Sequence, residues 1–294
     1  MVANAIAKQA ATASASDARG RLLAQMPVTE KRISLAGVST AVLEGGDGPP
    51  LVLLHGPGEY AAKWLRVIPE LAATHRVIAP DLPGHGADKT PLSARPHELY
   101  LPRVAEVLDR LDEPAILLGH SSGGMLISEL ARLRPQRVKV LVYLSAFLLG
   151  PGKTPRDAMR DDTESILISS IVFDHKKGVS IVKPEHAREV FYADCTEEDA
   201  AWAISRLQPE PLIPPNSDPL VVETGEEAGA AQVPCVYVEC LKDKALGPAT
   251  QKRMYTDAGC RKVYSLSTSH SPFISAPKEL AERLLDVART FAAI

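Results

Sequence analysis

From about residue 31 onward, short runs of branched apolar residues alternate with segments of helix length. Pro50 to Leu54, Arg76 to Ala79, Ala115 to Leu118, Val138 to Leu144, Cys235 to Cys240 and Lys262 to Leu266 are brief and apolar enough to be strands buried on both faces. Lys31 to Leu35 and Ser39 to Leu43 precede them as an expected antiparallel hairpin. Between the runs, Tyr100 to Leu111, Gly123 to Leu133 and Pro277 to Phe291 carry apolar residues at helical spacing. The pattern predicts an α/β fold, with a mostly parallel central sheet and helices on both faces.

The alternation lapses from Phe147 to Val233, where helices are expected over Asp157 to Ile171, Pro184 to Asp194 and Glu197 to Leu207. Two turn-rich crossings, LLGPGKTP and QPEPLIPPNSDP, bound this stretch. It reads as a helical lid over 147–233, inserted into a core built from 31–146 and 234–294, after an N-terminal extension of residues 1–30. That extension is Ala/Ser-rich with polar residues throughout, so it lacks the apolar core of a secretory signal and points to a cytoplasmic protein.

Composition narrows the function classes. Against 36 Asp+Glu stand 33 Lys+Arg, a net charge of −3 without the basic excess that nucleic acid demands. With 45% apolar residues in 294, the chain can bury a sizeable core. Its longest strongly apolar stretch, Val140 to Leu149, is about half of the roughly 20 residues that cross a bilayer, so no membrane partner is expected. Cys195, Cys235, Cys240 and Cys260 show neither a CxxC nor a Cys/His ligand spacing and read as reduced, buried thiols. No metalloprotease, P-loop or dinucleotide fingerprint occurs, so neither metal nor cofactor is expected. No exposed stripe can be told from core by sequence alone, which leaves monomer and homodimer both open.

The chemistry gathers in loops that follow strands. Gly119-His120-Ser121-Ser122-Gly123 lies between the strand AILL and a helix, the context in which a G-x-S-x-G serine becomes a nucleophile. The glycines let the chain turn sharply, and the helix N-terminus favours negative charge nearby. A serine hydroxyl needs a base to take its proton and a buried acid to orient that base. His270 falls in the loop after the last strand, and Asp243 in the loop after the strand before it. The competing readings are a solvated turn residue for Asp243, between two lysines, and a capping or packing residue for His270. Glu239 and Asp257 are the next acids in line. In the first loop, His55-Gly56-Pro57-Gly58, proline stands where a second oxyanion donor often lies and has no N–H. Ser122 is the first expected donor, and Gly56 or Gly58 the second. Glu59 reads as a residue of the pocket mouth or as a solvated glutamate. His120 is either a pocket residue or a packed one. Asp81-Leu82-Pro83-Gly84-His85-Gly86 reads as a structural turn.

Together LLHG, APDLPGHG, GHSSGG, CLKDK and SHSPFISAP resemble the α/β-hydrolase superfamily over nearly the whole chain from about residue 31. KDKALGP, S-H-S-P-F and REVFYADCTEEDAAWA are similar to one branch, that of plant methylesterases, hydroxynitrile lyases and bacterial carboxylesterases, pyrethroid hydrolases among them. The resemblance implies a triad of Ser121, His270 and Asp243, no cofactor, and a small-molecule ester as substrate. Hydroxynitrile lyases of this type carry lysine after the catalytic histidine and threonine after the first-loop histidine; this chain has Ser271 and Gly56, and both departures favour hydrolysis. A non-catalytic receptor for a small ligand is the alternative from another class. Ile168, Ile171, Phe173, Phe191 and Trp202 are lid candidates for the substrate wall, with packing inside the lid as the rival role.

Overall fold

The computed structural model describes residues 23–24, 26–88, 90, 100–211 and 233–292. Most of the expected N-terminal extension, His97 and residues 212–232 at the end of the insertion lie outside the described residues.

Its strands are β1 (Thr29–Leu35), β2 (Val38–Gly45), β3 (Pro50–Leu54), β4 (Arg76–Pro80), β5 (Ala115–His120), β6 (Val138–Leu144), β7 (Ile171–Asp174), β8 (Val179–Val182), β9 (Glu210–Pro211), β10 (Cys235–Cys240) and β11 (Lys262–Leu266). An eight-stranded sheet runs β1-β2-β4-β3-β5-β6-β10-β11. The leading hairpin is antiparallel to its neighbours, and every pairing from β4 to β11 is parallel. Parallel strands need crossovers that cover both faces, which is why β3 and β5 are apolar without alternation and buried throughout.

The helices are α1 (Ile68–Ala72), α2 (Tyr100–Asp109), α3 (Gly123–Leu133), α4 (Pro155–Met159), α5 (Leu167–Ser170), α6 (Pro184–Phe191), α7 (Glu197–Ile204), α8 (Pro248–Asp257), α9 (Pro272–Ser275) and α10 (Pro277–Thr290). One core joins Trp64, Leu71, Phe273, Leu280 and Leu284 to one set of sheet residues; the other joins Val104, Leu108, Leu126 and Leu130 to the remaining set. Each fully buried leucine contributes about 1.5–3 kcal/mol over an exposed one, so these two layers hold the sheet. Among the described residues no helix is long and apolar enough to cross a membrane.

The insertion differs from the all-helical expectation. Where one helix was expected from Asp157 to Ile171, the chain forms α4, a turn and the single turn of α5, then enters β7 at Ile171. β7, β8 and β9 make a small antiparallel sheet. The local cause is legible in the sequence: IVFD and VSIV are rich in β-branched residues and are joined by HKKG, whose Gly178 takes a φ of +66° at the turn.

Candidate active site

The elbow after β5 is built by steric necessity. Ser121 has a φ of +56°, a left-handed conformation that costs a non-glycine residue about 1–2 kcal/mol. Hydrogen bonds hold it there: its N–H donates to the Leu144 carbonyl at 3.3 Å, and its own carbonyl accepts from Phe147 N–H at 3.0 Å and Gly124 N–H at 3.1 Å. A Cβ on Gly119 would strike the Gly123 carbonyl, so the chain reverses this tightly only with glycine there. The Ser122 amide lies at the start of α3, where a helix leaves its first N–H groups without internal partners.

Asp243 and His270 meet across the carboxyl ends of β10 and β11. His270 Nδ1 and Asp243 Oδ2 are 2.7 Å apart, and both residues are buried. The other carboxylate oxygen accepts the amides of Ala245 at 2.7 Å and Leu246 at 3.0 Å. These donors hold the carboxylate in place. Asp243 is thus not a solvated turn residue. With Nδ1 donating to it, His270 leaves Nε2 as the acceptor, and His270 and Ser121 line the same cavity. Glu239, the alternative acid, accepts the Ser265 hydroxyl at 2.7 Å instead.

That cavity holds about 810 Å³ of empty space, its mouth included. Pro57, Gly58 and Glu59 of the first loop wall one part, and Leu167, Ile181, Val182 and Phe191 of the insertion roof it. Ile171 and Phe191 are where the lid reading put them, and the Phe191 ring lies 5.6 Å from the His270 ring. His120 is both packed and at the cavity wall. Phe173 is not at the wall: the β7–β8 hairpin leaves it half-exposed beside His175. Ile168, expected among the lining residues, is exposed on the single helical turn that ends at Ser170. Trp202 also misses this cavity; it faces a smaller one beside Lys63 and Phe273, with the Arg206 guanidinium 4.5 Å over its ring.

Both first-loop amides expected as oxyanion donors are engaged. Gly56 N–H donates to Glu59 Oε2 at 3.0 Å, and Gly58 N–H to Glu210 Oε2 at 2.9 Å. Glu210 stands on β9 and also meets His85 Nε2 at 2.8 Å, while His85 Nδ1 faces the Pro83 carbonyl at 3.1 Å. The acceptors at Glu210 and Pro83 favour a positive charge on the His85 ring, although the Gly58 N–H also approaches its Nε2 at 3.3 Å. Burial disfavours that charge, but the bond and the negative charge of Glu210 outweigh it and raise the His85 pKa. Nearby, the Asp81 turn is structural as expected, its carboxylate accepting Ala61 N–H and Ala87 N–H, each at 2.7 Å.

Several residues escaped the sequence reading. Ser145, at the end of β6 with a φ of +39°, donates to Asp243 Oδ2 and lies 3.3 Å from His270 Nδ1. Its signal was its place, since Ser121, Asp243 and His270 also follow strand ends. Gln251 of α8 reaches Asp243 Oδ2 at 3.3 Å. Ser269 ties the base loop to the insertion, its N–H donating to Asp194 at 2.9 Å. Glu59 is buried against Lys63 rather than solvated. Among the described residues no cluster of His, Cys, Asp or Glu is arranged to hold a metal ion, and Cys235 and Cys260 are free thiols 3.1 Å apart.

Residues 51–283 match the model of the alpha/beta hydrolase family, and the chain belongs to that family. It is 35% identical over 252 residues to a pyrethroid hydrolase of Sphingobium wenxiniae, covering 81% of this chain and 87% of the relative. Methylesterase 17 of Arabidopsis thaliana is 26% identical over 259 residues, 84% of this chain and 94% of that protein. Among solved structures, a pyrethroid hydrolase from Sphingobium faniae superposes with a TM-score of 0.70 at 31% identity, over 84% of this chain and all of the other.

Proposed function

We propose that this chain is a serine carboxylesterase that hydrolyses small to medium, mostly uncharged esters through an acyl-enzyme. The observation that carries the reading is the buried Asp243–His270 pair opening onto the cavity that Ser121 enters from a strained elbow. His270 Nε2 takes the Ser121 proton as the hydroxyl oxygen attacks the ester carbonyl. The oxyanion forms beside the Ser122 amide, at the positive end of α3. The second donor is a first-loop amide, Gly56 or Gly58, released as its carboxylate partner gives way. His270 then protonates the departing alcohol, and water activated by the same ring cleaves the acyl-enzyme. Asp243 fixes the tautomer and balances the imidazolium throughout.

The insertion acts as the lid that selects the ester. Its contribution to the cavity is mainly apolar, and no Lys or Arg lines the cavity among the described residues; the two lining acids, Glu59 and Glu210, are paired with Lys63 and His85. A substrate bearing a carboxylate finds no Lys or Arg among those lining residues to replace its hydration, whereas a neutral ester has no charge to desolvate on entry. The relatives named for pyrethroid and methyl ester hydrolysis support an ester of this kind.

The test is hydrolysis of p-nitrophenyl esters of rising acyl length by wild type and Ser121→Ala, with a terminal-carboxylate ester as the charged member. Serine-dependent turnover of the neutral series, with the charged ester much poorer, is expected. Equal turnover by the variant sinks the serine mechanism, and preference for the charged ester sinks the substrate class.

A further inference from the structure

Directly behind the elbow lies a buried ammonium that the mechanism above does not use. Lys63 belongs to a short 3-10 turn over Ala61–Arg66 and is about 5% exposed. Its Nζ donates to Glu59 Oε2 and to His120 Nδ1, the latter at 2.8 Å. It also lies 4.1 Å from the centre of the Phe273 ring and 4.7 Å from that of Trp64. Two acceptors and two aromatic faces therefore replace the hydration of the charge.

His120 has its other nitrogen on the base loop. Nε2 is 2.9 Å from the main-chain carbonyl oxygen of His270, which only accepts, so Nε2 carries the proton. Nδ1 has two neighbours that ask opposite things of it. Glu59 Oε2, at 3.1 Å, would accept a proton from it; the Lys63 ammonium, nearer, offers one. A proton on both nitrogens would set an imidazolium against an ammonium. Burial and the Lys63 charge lower the His120 pKa to about 4, so the ring is neutral and Nδ1 accepts from Lys63. Burial also brings the Lys63 pKa down to about 8, Glu59 opposing the fall, which leaves the amine protonated at neutral pH.

We propose that Lys63 is a positioning residue: by donating to His120 Nδ1 it fixes the Nε2–H tautomer, and through that ring it holds the main chain of His270 at the height where its Nε2 meets Ser121. The proposal rests on the serine-esterase reading for the roles of His270 and Ser121. The same ammonium joins the elbow to the first loop, since Glu59 accepts both Lys63 and the Gly56 amide. Three loops that follow different strands thus share one cation. Loss of that cation leaves His120 free to turn, and errors of an ångström in placing a catalytic group cost up to about 100-fold in rate.

The experiment is ring-nitrogen NMR of histidine-labelled protein, with His120 assigned by difference from His120→Gln, together with kinetics of wild type and Lys63→Met. Wild type is expected to show His120 as the neutral Nε2–H tautomer with a hydrogen-bonded Nδ1. In Lys63→Met that Nδ1 resonance shifts, and kcat falls about 10- to 100-fold while KM stays near its original value. Wild-type kcat in a folded Lys63→Met, or a change confined to KM, overturns the proposal. If the variant does not fold, the wild-type spectrum decides alone, because an imidazolium or an Nδ1–H form at His120 is incompatible with the bond from Lys63. Labelling of Ser121 by a fluorophosphonate keeps the two readings apart: its failure removes the esterase reading and leaves the His120 tautomer to be judged by the spectrum.

Discussion

The carboxyl edge of the eight-stranded sheet and the insertion above it treat their side chains in opposite ways. At the edge, Asp243 and His270 are 1% and 2% exposed, and the Asp243 carboxylate is met by His270, Ala245 and Leu246. In the insertion, Ile168 and Phe173 are 61% and 50% exposed, and its short helices and two-residue β9 carry little core of their own. The edge is tightly packed because its central parallel strands are buried on both faces. The insertion is tied down both by polar contacts such as Ser269 to Asp194 and by Tyr192, Cys195, Ala200 and Ala203, which pack into the core beside Trp64 and Phe273. On the serine-esterase reading proposed above, chemistry falls to the buried edge and selection to the layer over it.

The comparison breaks most severely if the edge is not the catalytic part. Ser121→Ala and His270→Ala are expected to lower ester turnover at least about 10⁴-fold with the far-UV circular dichroism of the fold retained. Residual turnover near wild type in either variant would move the chemistry elsewhere. Asp243→Asn comes next, with a loss of about 10³- to 10⁴-fold in kcat, because the amide no longer holds the base in its productive tautomer. Glu239→Gln is the control, its carboxylate being engaged with Ser265. If Glu239→Gln and not Asp243→Asn abolished kcat, the acid would be misassigned.

A smaller effect sharpens the other half of the comparison. Ile181→Ala removes apolar contact from the roof of the cavity, so KM for long acyl chains should rise about 3- to 10-fold more than KM for acetate. A uniform change along the series would show that the insertion does not read the acyl chain. The smallest effect concerns the tie between the two parts. His85 has a pKa raised above 6.5 by Glu210, so above that pH the folded protein keeps a proton that the unfolded chain gives up. Stability from this pair is complete below 6.5 and declines as pH rises through the folded pKa. Neighbouring His55, whose pKa burial lowers to about 3, stays neutral across this range. Melting temperature against pH should therefore fall less steeply in Glu210→Gln than in wild type, and parallel curves would show that the tie contributes nothing.

Much of this was legible along the chain because the signals are local. Short apolar runs, the glycines of the elbow and the strand-end positions of Ser121, Asp243 and His270 each lie within a few residues of what they specify. The hairpin of the insertion was missed although its own signal is local too, since Ile168 and Ile171 suit a helical face as well as a helix end followed by a strand. Phe173 and Trp202 were misplaced for a further reason: an apolar side chain in a small layer has several faces to choose from, and its own sequence does not rank them.

By itself the sequence determined the sheet, its strand order in the chain and the loops from which Ser121, Asp243 and His270 project, because periodic burial and tight turns are properties of neighbouring residues. Tertiary structure alone decided what those groups touch. Gly58 finds Glu210 across 152 residues, Ser145 finds Asp243 across 98, and Lys63 finds His120 across 57. A lysine in AAKWL looks like a surface charge in an apolar run, and it becomes a buried one only where folding brings a carboxylate, an imidazole nitrogen and two aromatic faces around it. A buried charge is stable only when compensated, and those compensating groups come together only in the folded chain.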